Sequence, residues 1–179
     1  MMKYIPDPNM AIALDPSFTN TGYVVFDSGR KSLKAHGNIR TKNESKKRGI
    51  YVADDTARRI SDITDEMVTL IEKYRPSVFY VETVSGGAKS SRAAIGLAIA
   101  KSFTTIIPRM YGIPVMWLSA GDVKKKMTGN SNASKKDVAD AVRKRFPTVK
   151  WPTAKTIVEH QLDAAAVLIT GIANTTFRI

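Results

Sequence analysis

The chain has 179 residues, 28 of them Lys or Arg and 16 Asp or Glu, for a formal net charge of +12 at pH 7. A hydrophobic content of 43% excludes a largely disordered chain and suits one compact domain over residues 1–179. The absence of cysteine excludes disulfides, thiolate metal sites and a thiol nucleophile, so a metal would have to be held by oxygen or imidazole.

The positive charge calls for a partner rich in negative charge. Nucleic acid fits, because a basic surface releases counterions condensed on phosphates. A membrane surface fits less well, since it would gather the basic residues on one amphipathic helix and here they are scattered. No membrane span is expected: the apolar run Ala93–Ala100 is short and bracketed by Arg92 and Lys101. The opening Met1–Pro8 lacks the apolar stretch of a secretory signal, so the protein is expected to stay inside a cell.

In chain order, Met10–Leu14 reads as a strand, Asp15–Gly22 as a polar turn and Tyr23–Phe26 as a second strand. The turn-like Asp27–Arg30 precedes a third, Ser32–Arg40, completing an antiparallel meander. Thr41–Gly49 has no apolar residue and reads as an exposed basic loop. Ile60, Ile63, Met67, Leu70, Ile71 and Tyr74 then recur at spacings of three and four, predicting an amphipathic helix over 51–74 that stops before Pro76. Val78–Val81 is a buried strand ending in Glu82. A glycine-containing loop leads to a helix over 92–110 and a strand over 114–118, forming a βαβ unit. Ser119 with Asp122, and Ser134 with Asp137, resemble capping boxes opening two shorter helices, the second ending near Phe146. A last helix covers 156–173. Repeats and dividing linkers are absent. This element order is that of the ribonuclease H-like fold: α/β, with a five-stranded mixed sheet flanked by helices.

Asp15 and Glu82 each stand where a buried strand stops. Either alone reads as a solvated acid, but active sites of α/β sheets form outside strand ends, and two such strands can bring their acids together. On the final helix His160 and Asp163 are spaced i and i+3, on one face, and Asp163 opens an otherwise apolar stretch. A carboxylate buried there is costly unless paired or metal-bound; the alternative is a surface histidine and an acid favoured by the helix dipole. Three carboxylates and an imidazole converging would suit a hard cation such as Mg²⁺ and would otherwise repel one another's ionisation. Two ions about 4 Å apart can activate water on one side of a phosphodiester and neutralise the leaving oxygen on the other.

These segments together resemble a family. Ile12–Ser17 with Thr21-Gly22-Tyr23 is similar to the opening motif of RuvC-type Holliday junction resolvases, and Val78–Glu82 to their second acidic strand. Val123-Lys124, Thr128-Gly129 and Ala133-Ser134-Lys135 resemble the lysine-bearing segment, and His160–Ala165 the closing metal motif. The resemblance implies a metal-dependent endonuclease that resolves four-way DNA junctions by paired nicks as a homodimer. It implies Asp15, Glu82, His160 and Asp163 as metal ligands and Lys124 and Lys135 as catalytic lysines. Mg²⁺ is the implied cofactor, and the softer His160 in place of a frequent Asp suggests that Mn²⁺ also serves. If His160 is not the fourth ligand, Glu159 is the next candidate. Some members carry an aromatic wedge three residues after the second acid, where this chain has Ser85. A cytoplasmic setting in a bacterium or phage-infected cell, or else an organelle, is expected.

Lys89, Arg92, Lys124, Lys135 and Lys136 are expected to contact DNA. The run Gly86–Ser90 lacks the earlier glycine of a Walker A loop and reads instead as a loop beside the site. The Asp15–Gly22 turn also resembles the first phosphate turn of the sugar-kinase and actin superfamily, whose second comparable domain has no room here. Tyr23, Phe103 and Trp117 are expected in the core, and Trp151 either packs locally or stacks on a base. Two other functions compete with junction resolution: a ribonuclease H-like nuclease acting on other branched or hybrid substrates, and a non-catalytic basic nucleic-acid-binding module. The latter would need none of the acids.

Overall fold

The computed structural model describes residues 4–47, 49–83 and 90–176. Strands β1 (Asp7–Asp15), β2 (Asn20–Asp27) and β3 (Ser32–Arg40) form the antiparallel meander, followed by helix α1 (Val52–Tyr74). Strand β4 (Pro76–Glu82), helix α2 (Ser91–Met110) and strand β5 (Val115–Leu118) make the βαβ unit. Helices α3 (Ala120–Thr128), α4 (Lys135–Arg145) and α5 (Lys155–Thr176) follow. The sheet order is β3-β2-β1-β4-β5, with β1 parallel to β4 and β4 parallel to β5. The mixed five-stranded sheet expected from the element order is therefore present, with β1, β2 and β4 longer than their apolar runs: β2 begins at Asn20, inside the stretch read as a turn, because Gly22 pairs with Asp15 across the ladder. No described helix is long and apolar enough to cross a membrane.

Alternation along the strands sorts the core into two layers. Met10, Ile12, Leu14, Phe79 and Val81 face α1 and α2. The intervening Ala11, Ala13 and Tyr80 face α5, whose Ala164–Leu168 run is fully buried. Small residues on that face let α5 settle close to the sheet. A Cβ added at Gly22 would lie 2.1 Å from the His160 carbonyl oxygen, and one at Gly171 would lie 2.2 Å from the Tyr80 ring. These are contacts that only glycine permits.

Local chemistry explains the helix limits. The Ser119 side chain accepts from the Asp122 N–H to start α3, and Ser134 with Asp137 forms a complete capping box at α4. Arg75, in a left-handed conformation with φ 50°, returns its N–H to the Ile71 carbonyl and ends α1 before Pro76.

Two expectations are corrected. Ile60 is 39% exposed and Arg59 only 5%, so the buried stripe of α1 runs Asp55, Arg59, Ile63, Met67, Leu70 and Ile71. Stepping back by four from Ile63 reaches Arg59, whose guanidinium finds polar partners under the sheet. Nor is the Thr41–Gly49 segment wholly exposed: Thr41 is buried, its hydroxyl donating to the Phe18 carbonyl at 2.6 Å and its N–H to the Thr19 carbonyl at 3.1 Å. Phe103 is buried in the layer under α2, and Tyr23 and Trp117 pack half-buried against it. Trp151 packs not against its chain neighbours alone but on the α5-side core, its ring 4.9 Å from that of His36 on β3.

Candidate active site

Register and alternation together carry the acids to one place. Leu14 pairs with Val81 across parallel strands, so Asp15 and Glu82, one step further, end adjacent strands. Both fall on the alternate positions shared with Ala13 and Tyr80, the face that α5 covers. Gly22, the antiparallel partner of Asp15, admits the α5 backbone at His160. The Thr21-Gly22 pair in the opening motif thereby acquires a physical role. Thr21, buried, locks the intervening turn by accepting from the Ser17 N–H at 3.0 Å and donating to the Ser17 carbonyl at 2.7 Å.

Within this corner His160 Nδ1 lies 2.5 Å from Asp15 Oδ2. The Lys135 ammonium, at the first position of α4, is 3.2 Å from Asp163 Oδ2 and 3.6 Å from Glu159 Oε1. Burial, then the neighbouring charges of Asp15 and Asp163, pushes the Glu82 carboxyl up to about 7, against a smaller pull downward from Lys135. Asp163 is also raised, by burial and by Asp15. His160 is held above its ordinary value, chiefly by its hydrogen bond to Asp15, despite the opposing effect of burial. Burial lowers Lys135, but Asp163, Glu159 and Asp15 together overcome this and raise it. The acids thus crowd one another enough to resist simultaneous ionisation, with one ammonium and one imidazole as their internal counter-charges.

Among the described residues no three His, Asp or Glu side chains are arranged as a ready chelate. Asp15 is engaged with His160, and Asp163 with Lys135. The donor set nevertheless fits a hard divalent cation: it is rich in carboxylate oxygen, and its mutual repulsion is what such a cation relieves. Asp15, Glu82, His160 and Asp163 are the residues that would hold it.

The structure brings Asp15, Glu82, His160, Asp163 and Lys135 together. Lys124 is half-buried on α3 and its ammonium is not among the described contacts of the cluster; its carbonyl accepts from Thr128 Oγ1. Arg92 is exposed on the first turn of α2, and Lys136 is exposed beside Lys135. Lys89, Ser85 and most of the Gly86–Ser90 run lie outside the described residues.

Sequence reasoning missed a polar clasp behind α5. Gln161, almost fully buried, lies 2.6 Å from His36 Nδ1 through Oε1 and donates from Nε2 to Asn38 Oδ1. Asn38 donates to Asn20 Oδ1 at 2.8 Å, and Asn20 donates to the Thr156 carbonyl at 3.0 Å. The ring of bonds leaves α5 and returns to it. Its only prior signal was a glutamine inserted between His160 and Asp163 on a helix otherwise apolar beyond them.

Comparison with known proteins bears on this corner. Residues 11–171 match the family model of the crossover junction endodeoxyribonuclease RuvC. The chain is 33% identical over 161 residues to the protein of that name from Salinibacter ruber, covering 88% of this chain and 82% of that one. It is 31% identical over 167 residues to the one from Saccharophagus degradans, covering 91% and 88%. Among solved structures, Thermus thermophilus RuvC in complex with Holliday junction substrate superposes with a TM-score of 0.72 at 20% identity, covering 90% of this chain and 91% of that one.

Proposed function

The chain belongs to the RuvC family of crossover junction endodeoxyribonucleases, and from that premise we propose that it cuts four-way DNA junctions at the corner formed by Asp15, Glu82, His160 and Asp163. The observation that carries this reading is the convergence of those four side chains, with Lys135, from two strand ends and one helix. A non-catalytic binding module has no use for acids crowded enough to raise Glu82 to about 7. The Holliday junction held by the Thermus thermophilus relative supports the substrate class.

The family is metal-dependent, and Mg²⁺ is the cation best suited to the carboxylate-rich set, with Mn²⁺ accepted through the His160 imidazole. Bound there, the metal would supply an activated water and a counter-charge for the leaving oxygen. The chain's own groups do the rest. Asp15, Glu82 and Asp163 present oxygens from rigid elements, and His160, neutral when it binds, closes the set from one turn of α5. Lys135 exchanges Asp163 for the scissile phosphate and offsets charge as the bond breaks. Ten Lys and Arg against two Asp lie between residues 124 and 155, on α3, α4, the segment after them and the start of α5. They supply the phosphate contacts, Lys124 and Lys136 among them, together with Arg92 at the start of α2.

Two nicks related by a two-fold axis need two copies of a one-site chain. A homodimer through the exposed Ile95, Ile106 and Met110 on the outer side of α2 meets that need. A junction-cutting protein works where the DNA is, in the cytoplasm of a bacterium or phage-infected cell. The deciding experiment incubates labelled four-way junction, flap, duplex and RNA–DNA hybrid in parallel with Mg²⁺, Mn²⁺ or chelator. Paired symmetric nicks in the junction alone uphold the reading; preferential hybrid cleavage replaces it with a ribonuclease.

A further inference from the structure

The buried arginine of α1 has no role in the core. Arg59 sits among Ile63, Met67 and Ile71 on the inner stripe of the helix, while the adjacent Ile60 is left partly exposed. A cation in such a place is costly unless its donors are satisfied; buried Asp55, one turn earlier on α1, acts on it electrostatically, but among the described residues no carboxylate lies within ion-pair distance of it. Its hydrogen-bond partners are neutral. Nε donates to Thr41 Oγ1 at 2.9 Å, and Nη2 to the Phe18 carbonyl at 3.2 Å and to Thr19 Oγ1 at 3.3 Å. The guanidinium carbon stands 3.9 Å over the centroid of the Phe18 ring.

Every one of these contacts but Thr41 belongs to the turn that follows Asp15, and Thr41 itself is bonded to that turn through Phe18 and Thr19. Thr21 secures the same turn from within, at Ser17. On its far side Phe18 meets α2, where a Cβ on Gly96 would come 3.7 Å from the Phe18 Cβ. Helix α2 is the element that follows Glu82 in the chain. One guanidinium therefore grips the segment after the first acid, and the residue whose ring it covers approaches, at its Cβ, the helix after the second.

We propose that Arg59 is a positioning residue of the nuclease site: from the opposite face of the sheet it clamps the 16–19 turn, with Thr41 and Phe18, and so holds Asp15 in place relative to Glu82. The inference rests on the nuclease reading above for its consequence, though not for its geometry. Lysine cannot replace arginine here, since a single ammonium cannot bond Thr41, Phe18 and Thr19 from one plane while its face covers a ring. The stabilisation is spent on a turn that carries a ligand, and outer-sphere supports of this kind set metal affinity.

The test uses the full chain as Arg59→Lys, Thr41→Val and the double variant. It measures Mn²⁺ affinity by calorimetry on metal-free protein, and amide hydrogen exchange at residues 16–19 with α5 as internal reference. Binding to a four-way junction is measured in EDTA, and cleavage across Mn²⁺ concentrations. Arg59→Lys is expected to weaken Mn²⁺ binding about tenfold and to speed exchange in the turn but not in α5. Junction binding in EDTA stays within about twofold, since phosphate contacts supply it, and cleavage returns toward wild type at saturating Mn²⁺. Thr41→Val moves the same readouts less, and the double variant falls short of the sum, because the two share one hydrogen bond. Wild-type Mn²⁺ affinity and turn exchange in Arg59→Lys would overturn the proposal. So would exchange that quickens equally in the turn and in α5, which would make Arg59 a general stabiliser. If Arg59→Lys fails to fold, Thr41→Val, which keeps the cation, decides by the same criteria. A wild-type protein that neither binds Mn²⁺ nor cuts a junction would sink the nuclease reading instead, and the exchange comparison would still settle the clamp.

Discussion

The two faces of the sheet solve different problems. Under α5 the strands present Ala11, Ala13 and Gly22, and the helix answers with Ala164, Ala165 and Ala166, so backbone approaches backbone. Under α1 and α2 they present Ile12, Leu14, Phe79 and Val81, and the helices stand off behind large side chains. Bulky layers bury more apolar area and tolerate small shifts by repacking. Small-residue layers bury less but leave the helix almost no freedom to slide. The site is built on the side with least freedom, and the other side keeps apolar residues of α2 outside. Position is the product of the first face, and attachment is the proposed product of the second.

The largest expected effect comes from removing a charge that the close-packed face positions. Asp163→Asn, Asp15→Asn or Glu82→Gln should lower turnover by about a thousandfold while junction binding stays near wild type, since basic residues supply affinity. Single-turnover cleavage with a parallel binding isotherm measures both. A variant that cuts normally removes its residue from the site.

A paired glycine substitution sets the faces against each other directly. At Gly22 a Cβ would meet the His160 carbonyl at 2.1 Å, so Gly22→Ala must push α5 away, costing about 1–3 kcal/mol and lowering metal affinity with it. At Gly96, on α2, the nearest atom is 3.7 Å away, so Gly96→Ala should be neutral or stabilise by up to about 1 kcal/mol through helix propensity. Denaturant unfolding of both would decide; equal costs would erase the distinction drawn between the faces.

Next in size is Ile106→Lys on the exposed side of α2. It should leave the melting temperature of the protomer nearly unchanged and weaken self-association about tenfold or more, read by sedimentation with and without a junction. A wild-type association constant would move the proposed interface elsewhere.

The last is a pH trend. Glu82, raised from 4.5 to about 7, holds more protons folded than unfolded between those values. Stability of the metal-free protein therefore falls as pH rises through that window. His160, also raised, acts in the same direction, its contribution present at low pH and lost as pH climbs through its folded pKa. Thermal melts in EDTA from pH 5 to 8 should decline, and Mg²⁺ or Mn²⁺ should restore more stability at pH 8 than at pH 5. A metal effect that is larger at pH 5 would contradict the repulsion among the acids.

Much of this was legible beforehand for local reasons. Strand alternation, the three-and-four spacing of α1, and the serine and aspartate pairs of α3 and α4 are signals carried within a few residues, and the helices and strands follow them closely. Asp15, Glu82, His160 and Asp163 could be named because strand ends and an i, i+3 pair have local signatures and because four motifs stood in order. Arg59 could not be read, since the apolar period of α1 favours Ile60, and the guanidinium's partners come from Thr41 and from the turn after Asp15, forty or so residues earlier in the chain.

The sequence by itself determined the elements, their order, the basic character and which acids to propose for the site, because these depend on composition and on patterns close along the chain. Tertiary structure alone decided that Lys135 meets Asp163 and Glu159, and that Gln161 ties α5 to the edge strand. It alone decided that Gly22 admits His160, and that a buried arginine grips the loop behind Asp15. Each of these is a meeting of groups far apart in the chain, and the close packing that arranges them in space leaves no periodic trace along the sequence.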